Sequence, residues 1–254
     1  MRLSILGCSG GIGANLRTTC LLLDDDTLID CGTGAGELDS ERMAGIDQVF
    51  LTHSHLDHVA ALPMFADSAG NLRNAPLTVY ALPDTIAILK SHIFNASIWP
   101  DYTVQPSPEI PYIRFEAIKT GQTVVSRGRK ITALPAKHSI PAVGYLLDSG
   151  AGSFAFSGDT TYCEAFWNAL KQAQNLRYLL IEATLLDHGG ERAEISGHMT
   201  PTLIAKGLHK LEHPVAVLIT HMEAGREEET MREILALSAE FSPEAVRRGQ
   251  VFEF

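Results

Sequence analysis

Three imidazoles and a carboxylate fall within six residues, in the run His53-Ser54-His55-Leu56-Asp57-His58. An apolar stretch, Gln48–Leu51, precedes the run and reads as a strand; a helical pattern follows it. Residues two apart in an extended segment point the same way, so His53 and His55 share a face. Asp57 and His58 then fall where the chain turns into the helix. Imidazole nitrogens and one anionic oxygen gathered at a strand end suit a borderline divalent ion: zinc, manganese or iron.

The elements that must position this run are short and numerous. Expected strands are Arg2–Leu6, Thr19–Leu23, Thr27–Ile29, Gln48–Leu51, Leu77–Ala81, Ile113–Ala117 and Thr123–Val125. They continue with Ile131–Pro135, Gly144–Leu147, Ser153–Phe156, Tyr178–Ile181, Val215–Ile219 and Val251–Phe254. Apolar spacing of three and four predicts helices over His58–Ser68, Asp84–Ser97, Tyr162–Gln174, Thr200–Leu211, Glu227–Leu237 and Pro243–Arg248. Many strands with interspersed helices argue against a doubly wound parallel sheet and for two mixed sheets with helices outside. No repeat or linker interrupts the 254 residues, so a single domain over 1–254 is expected.

Composition narrows the partners. The net charge is −10, and the densest basic run is only Arg127-Gly128-Arg129-Lys130. Such a surface repels a long nucleic-acid backbone, yet a small anion is still drawn to bound metal cations. Cys8, Cys20, Cys31 and Cys163 form no CxxC pair and read as reduced thiols of a cytoplasmic protein. Ile5-Leu6-Gly7-Cys8 looks like a lipid-attachment box, but the apolar stretch before it is shorter than the roughly 7–15 residues of a signal core. No apolar run approaches the roughly 20 residues of a membrane span.

The H-x-H-x-D-H order resembles the signature of the metallo-β-lactamase superfamily. Later segments fit the rest of that pattern: His138 after Ile131–Pro135, Asp159 in Phe156-Ser157-Gly158-Asp159-Thr160, and His221 in Leu218-Ile219-Thr220-His221-Met222. The resemblance covers nearly the whole chain. It implies an α/β (α+β) fold, a four-layer αββα sandwich of two mixed β-sheets flanked by helices. It also implies two divalent metal ions, zinc first, with manganese or iron as alternatives. His53, His55 and His138 would hold one ion, Asp57, His58 and His221 the other, and Asp159 would bridge. Asp30, in an "IDCGTG" turn common beside these metals, would support a ligand histidine.

Ile181-Glu182-Ala183-Thr184 followed by Gly197-His198-Met199-Thr200-Pro201 resembles the phosphodiesterase branch, which holds the ribonuclease Z family and the class II cyclic-nucleotide phosphodiesterases. There the glutamate orients the histidine, which faces the scissile phosphate; Glu182 and His198 take those places. His53–Pro63 and Asn95-Ala96-Ser97-Ile98-Trp99-Pro100-Asp101 are similar to the class II enzymes in particular. Asn95, Trp99 and Asp101 are thereby candidates for a base or ribose pocket. The chain departs from that signature after Leu62, at Pro63-Met64-Phe65-Ala66-Asp67.

The resemblance therefore implies a dinuclear phosphodiesterase that opens 3′,5′-cyclic nucleotides, cyclic AMP first, with His198 or Asp57 as proton donor. Only 21 positions separate His138 from Asp159, which leaves no room for the arm that grips tRNA in ribonuclease Z enzymes. The rival readings are a carbon-centred hydrolase of the same fold (thioesterase, lactonase or glyoxalase II-like) and a metal-containing binding or redox protein. Relatives suggest a homodimer.

Overall fold

The computed structural model describes residues 1–254, apart from the side chains of residues 190, 191 and 194. The chain forms two compact units, each built on one seven-stranded mixed sheet.

The first unit comprises Met1–Cys8, Arg17–Ile118 and Arg248–Glu253. Its strands are β1 (Arg2–Gly7), β2 (Cys20–Leu23), β3 (Thr27–Ile29), β4 (Gln48–Phe50), β5 (Leu77–Ala81) and β6 (Ile113–Ala117), side by side in that order, with Val251–Glu253 on the outer edge of β1. β1 pairs antiparallel with β2 and with Val251–Glu253, and β2 with β3; β3 through β6 run parallel. Parallel neighbours need crossovers, and the helices supply them: α1 (Ser40–Gly45) between β3 and β4, α2 (Leu56–Val59) and α3 (Leu62–Gly70) between β4 and β5, and α4 (Pro83–His92) between β5 and β6. Leu22, Leu28, Val49, Leu62, Phe65, Val79 and Leu89 close the core under these crossovers.

The second unit comprises Ser9–Leu16, Lys119–Arg247 and Phe254. Its sheet holds β7 (Thr123–Ser126), β8 (Arg129–Pro135), β9 (Val143–Asp148), β10 (Ser153–Phe156), β11 (Leu176–Glu182), β12 (Ala216–Thr220) and β13 (Glu244–Ala245) in sequence order. β7 to β10 are antiparallel and β10 to β13 parallel. Around it lie α5 (Glu164–Gln172), α6 (Gly190–Ser196), α7 (Pro201–Leu208) and α8 (Glu227–Ser238), and Val251–Glu253 is β14. Phe166, Trp167, Leu170, Leu179, Ile181, Ile204 and Leu208 form the second core.

Two mixed sheets flanked by helices are what the strand and helix pattern implied. Other ends shift by one to three residues, and three expected helices differ in kind or extent. The expected helix His58–Ser68 is two helices, because Ala61 N–H donates to Cys31 O at 3.0 Å and Pro63 has no N–H, so the helical ladder breaks. The expected helix Asp84–Ser97 stops at His92; Ala96 takes φ +62° and Asn95 turns the chain. The expected helix Pro243–Arg248 is instead β13, in register Leu218↔Glu244 and Ile219↔Ala245. Six residues opening on a proline hold no helix unaided, whereas the β12 edge offers backbone partners, and Val246 N–H takes one at Ile219 O (2.9 Å).

Trp167 is fully buried against α7, where Gly207 leaves room for its ring. A Cβ at Gly207 would overlap the indole, whereas one at Gly36 meets nothing within 4 Å. Gly207→Ala is expected to cost about 3 kcal/mol in urea unfolding, the upper end of ordinary overpacking, and Gly36→Ala far less.

Candidate active site

Outside the Asn95–Asp101 stretch, the residues singled out for chemistry sit at or follow the carboxyl ends of strands, except His198, which lies between α6 and α7. In the first unit, Asp30 follows β3 and His53 follows β4, its parallel neighbour, so both emerge at one edge of that sheet. Asp30 takes φ +58°, a conformation aspartate tolerates better than most residues. Its carboxylate is fully buried. It accepts Thr52 N–H at 2.7 Å, the Thr52 hydroxyl at 2.9 Å, and His58 Nδ1–H at 2.7 Å. Having given its proton to Asp30, the Thr52 oxygen accepts from His53 Nδ1 at 3.0 Å. Burial pushes the Asp30 carboxyl above its ordinary range, and His58 and Thr52 pull it back.

Both rings therefore keep the proton on Nδ1 and turn Nε2 outward. His55 stands edge-on to His53, ring centroids 4.7 Å apart, and the His58 ring is 4.2 Å from His53. Gly32 makes this close turn sterically feasible: a Cβ there would overlap the Asp57 carbonyl oxygen.

The second unit repeats the device. Asp159, Glu182 and His221 come from the ends of β10, β11 and β12, which are parallel, and His138 from beyond β8. Glu182 is fully buried. Its Oε1 accepts Thr160 N–H at 3.0 Å and His198 Nδ1–H at 2.8 Å; its Oε2 accepts Thr184 N–H at 3.0 Å and the Thr184 hydroxyl at 2.7 Å. The Thr184 oxygen lies 2.9 Å from His221 Nδ1 and accepts from it. His138 Nδ1 donates to Gly197 O at 3.0 Å. Gly197 is required twice over, by φ +76° and by the 2.7 Å a Cβ would leave to His138 Cα. Burial lowers the pKa of His138 and favours its neutral form.

The donor sets suit divalent metal. His58 Nε2 and Asp57 Oδ2 stand 3.6 Å apart, and so do His221 Nε2 and Asp159 Oδ1. With the proton on Nδ1, each pair sets a nitrogen lone pair against a carboxylate oxygen. Two donors about 2.1 Å from one tetrahedral ion stand about 3.4 Å apart, so each pair has the spacing of two ligands on one cation. Glu182, His198 and His221 also gather donor atoms within 4.8 Å. Four donors already occupy the Glu182 oxygens, which makes it a hub for hydrogen bonds and not a ligand.

Among the expected site residues, the first unit brings together His53, His55, Asp57 and His58, and the second Asp159, Glu182, His198 and His221, with the His138 ring 4.9 Å from His198. Asn95, Trp99 and Asp101 serve the loop after α4. Asn95 Oδ1 accepts Ser97 and Ile98 N–H at 2.9 Å each, Asp101 Oδ1 accepts Thr103 N–H at 3.0 Å, and Trp99 packs on the first core. Sequence reading missed Thr52, Thr160 and Thr184. A threonine directly before His53 and another two residues after Glu182 were the available signals.

Thr184→Val keeps the shape of the side chain and removes the hydroxyl, so Glu182 Oε2 loses a donor and His221 Nδ1 its acceptor. Zinc affinity is expected to fall about 10–100-fold, the usual effect of losing such a supporting hydrogen bond, and Thr184→Ser to restore most of it. Equal affinity in the two variants would contradict the hydroxyl's role.

Comparison with known proteins agrees with this geometry. The family described as "Beta-lactamase superfamily domain" matches residues 26–222. A probable 3′,5′-cyclic-nucleotide phosphodiesterase of Yersinia pestis is 29% identical over 249 residues, spanning 82% of this chain and 71% of that protein. A ribonuclease Z of Bradyrhizobium diazoefficiens is 25% identical over 299 residues, covering 95% of each. The crystal structure of unliganded yeast PDE1 shares the fold, with a TM-score of 0.82 at 17% identity over 100% of this chain and 99% of that one. With the family match running from β3 to just past His221, the chain belongs to the β-lactamase superfamily domain family.

Proposed function

We propose that the chain is a dinuclear metal-dependent phosphodiesterase that hydrolyses 3′,5′-cyclic nucleotides, cyclic AMP first, to nucleoside 5′-monophosphates, and that residues 1–254 act as one hydrolase domain. The observation that carries the choice of phosphorus over carbon chemistry is the Glu182–His198 pair. An imidazole 2.8 Å from a fully buried carboxylate is built to hold and deliver a proton. A phosphodiester with an alkoxide leaving group needs that proton. The likeness to the Yersinia phosphodiesterase supports the same reading.

In this reading His53, His55 and His138 would hold one ion and Asp57, His58 and His221 the other, with Asp159 contributing to both. Divalent ions held there would supply positive charge that draws an anionic substrate and would make a water nucleophilic near neutral pH. The attacking water gives up one proton to solvent as its oxygen bonds to phosphorus, the P–O3′ bond breaks, and the electron pair leaves on O3′. His198, with Nδ1 anchored on Glu182, passes a proton from Nε2 to O3′; Asp57 is the alternative donor. The Nδ1 bonds of His53, His58, His138 and His221 keep their Nε2 atoms in place through the cycle.

A ribonuclease Z-like role is the second reading, favoured by the full-length match to the Bradyrhizobium protein. Against it stand the net charge of −10 and the stretch from His138 to Asp159, which β9, β10 and tight turns fill.

The test is metal analysis and a substrate panel on one purified sample: cyclic nucleotides, bis(p-nitrophenyl) phosphate and thioesters. About two ions per chain and turnover of cyclic AMP are expected, with activity lost on chelation and regained with zinc or manganese. Fully metallated protein that cleaves no phosphodiester would sink the proposal.

A further inference from the structure

The second unit holds a cavity of about 450 Å³ that the mechanism above leaves unused. Its walls come from the segments that carry the chemistry. Lys137 directly precedes His138, Thr161 lies two residues beyond Asp159, and Thr200 lies two beyond His198; all three line the cavity, together with Tyr162, Asp187, Ala193, Thr202 and Leu203. Backbone bonds tie two of these walls together. Thr161 N–H donates to Lys137 O at 2.8 Å, and Lys137 N–H to the Thr160 hydroxyl at 2.9 Å. Thr160 in turn gives its own N–H to Glu182. The cavity is thus framed by the same fixed network that holds His198.

Its polar groups divide into used and unused. The Asp187 carboxylate accepts Thr202 N–H at 3.0 Å and the Thr202 hydroxyl at 2.8 Å. The Tyr162 hydroxyl donates to Glu164 at 2.9 Å, and the Lys206 ammonium sits 3.9 Å over its ring. By contrast, among the described residues the Lys137 ammonium and the Thr161 and Thr200 hydroxyls form no hydrogen bond within the protein. Thr161 and Thr200 are only 9% and 4% exposed. Their hydroxyl oxygens still reach open space, so each can bond a ligand or water in the cavity.

Thr200 shows how this comes about. It occupies the N-cap of α7, where a threonine oxygen normally accepts a helix N–H, yet it makes no cap bond. Asp187 reaches in from another segment and takes the Thr202 N–H instead. A carboxylate also suits the positive end of the helix. The capping work is done from outside, and the Thr200 hydroxyl is left for the cavity.

We propose that this cavity receives the nucleoside part of the substrate, an inference that rests on the phosphodiesterase reading. The volume is within the roughly 300–1,000 Å³ of small-molecule pockets and too large for a phosphate alone. The ammonium donates to ring nitrogens or carbonyl oxygens of a base, and the two hydroxyls both donate and accept, matching ribose hydroxyls. Leu203, Ala193 and the Tyr162 ring give apolar area for the faces of the sugar and base. The Thr202 bonds engage the one carboxylate, so the cavity's remaining polar capacity favours an electron-rich ligand.

The test compares wild type, Leu203→Trp and Lys137→Met as full-length metallated proteins, on cyclic AMP and on methyl p-nitrophenyl phosphate, a diester with no sugar or base. Inhibition by AMP is measured alongside. Leu203→Trp fills the space; Lys137→Met changes an exposed side chain and spares the fold. Each is expected to cut the preference for cyclic AMP over the small diester about tenfold, carried by KM, and to weaken AMP inhibition in parallel. If wild type cleaves cyclic AMP and both variants keep its preference and AMP affinity, the cavity is not the nucleoside site. A uniform loss on both substrates overturns the assignment equally. If wild type cleaves the small diester and no cyclic nucleotide, the substrate reading itself fails and this assignment falls with it.

Discussion

A fully buried carboxylate bonded to a threonine hydroxyl is the interaction on which the donor cluster of each unit depends. Asp30 with Thr52 does this in the first unit and Glu182 with Thr184 in the second. In both, the carboxylate holds one histidine directly, and the threonine, having spent its proton on the carboxylate, holds a second. One anion therefore sets the tautomer and direction of two imidazoles. Burying a carboxylate costs several kcal/mol in real proteins. Hydrogen bonds to a charged group return about 1.5–3 kcal/mol each, and Glu182 accepts four of them. Neither anion is stable there without its donors, and the histidines have no fixed orientation without the anions.

The sheets make this arrangement possible. Parallel neighbours deliver their carboxyl ends to one edge, so short turns after β3 and β4, and after β10, β11 and β12, gather polar side chains without long loops. The turns are tight enough to need unusual backbone: φ is positive at Asp30, Gly158, Gly197 and His221. Gly10 serves the same end, since a Cβ there would stand 3.0 Å from the His221 carbonyl oxygen. Strain of this kind collects where function fixes geometry. In the proposed reaction it keeps His221 and His198 in place while a proton moves.

Much of this was legible in the chain. The H-x-H-x-D-H run stands out by residue type and by its place after an apolar strand, whereas His138, Asp159, His221 and the Glu182–His198 pairing were implied by the resemblance to the metallo-β-lactamase superfamily and its phosphodiesterase branch. Strands read well because buried runs such as Cys20–Leu23 and Leu176–Glu182 are bounded by turn residues. Helix ends read less well. Apolar spacing runs straight through Ala60 and Ala61, and only a tertiary bond from Ala61 to Cys31 breaks the ladder there. Pro243–Arg248 has helical spacing but lies along a strand edge that captures it. The threonines were invisible for a different reason. A hydroxyl's role is set by which acceptor and which ring nitrogen flank it in space, and spacing along the chain carries little of that. The unused Thr200 cap is of the same kind, since it depends on Asp187 arriving from a separate segment.

The central claim is that the carboxylate-held His198 delivers a proton to the leaving oxygen, and leaving-group dependence tests it most directly. His198→Ala, with its metal content measured, is assayed on cyclic AMP, whose alkoxide needs a proton, and on bis(p-nitrophenyl) phosphate, whose phenolate leaves without one. The account predicts a loss of about 10²–10⁴ on cyclic AMP, the usual worth of a general acid, with only a small change on the nitrophenyl ester. Equal losses on both substrates at full metal content would contradict it.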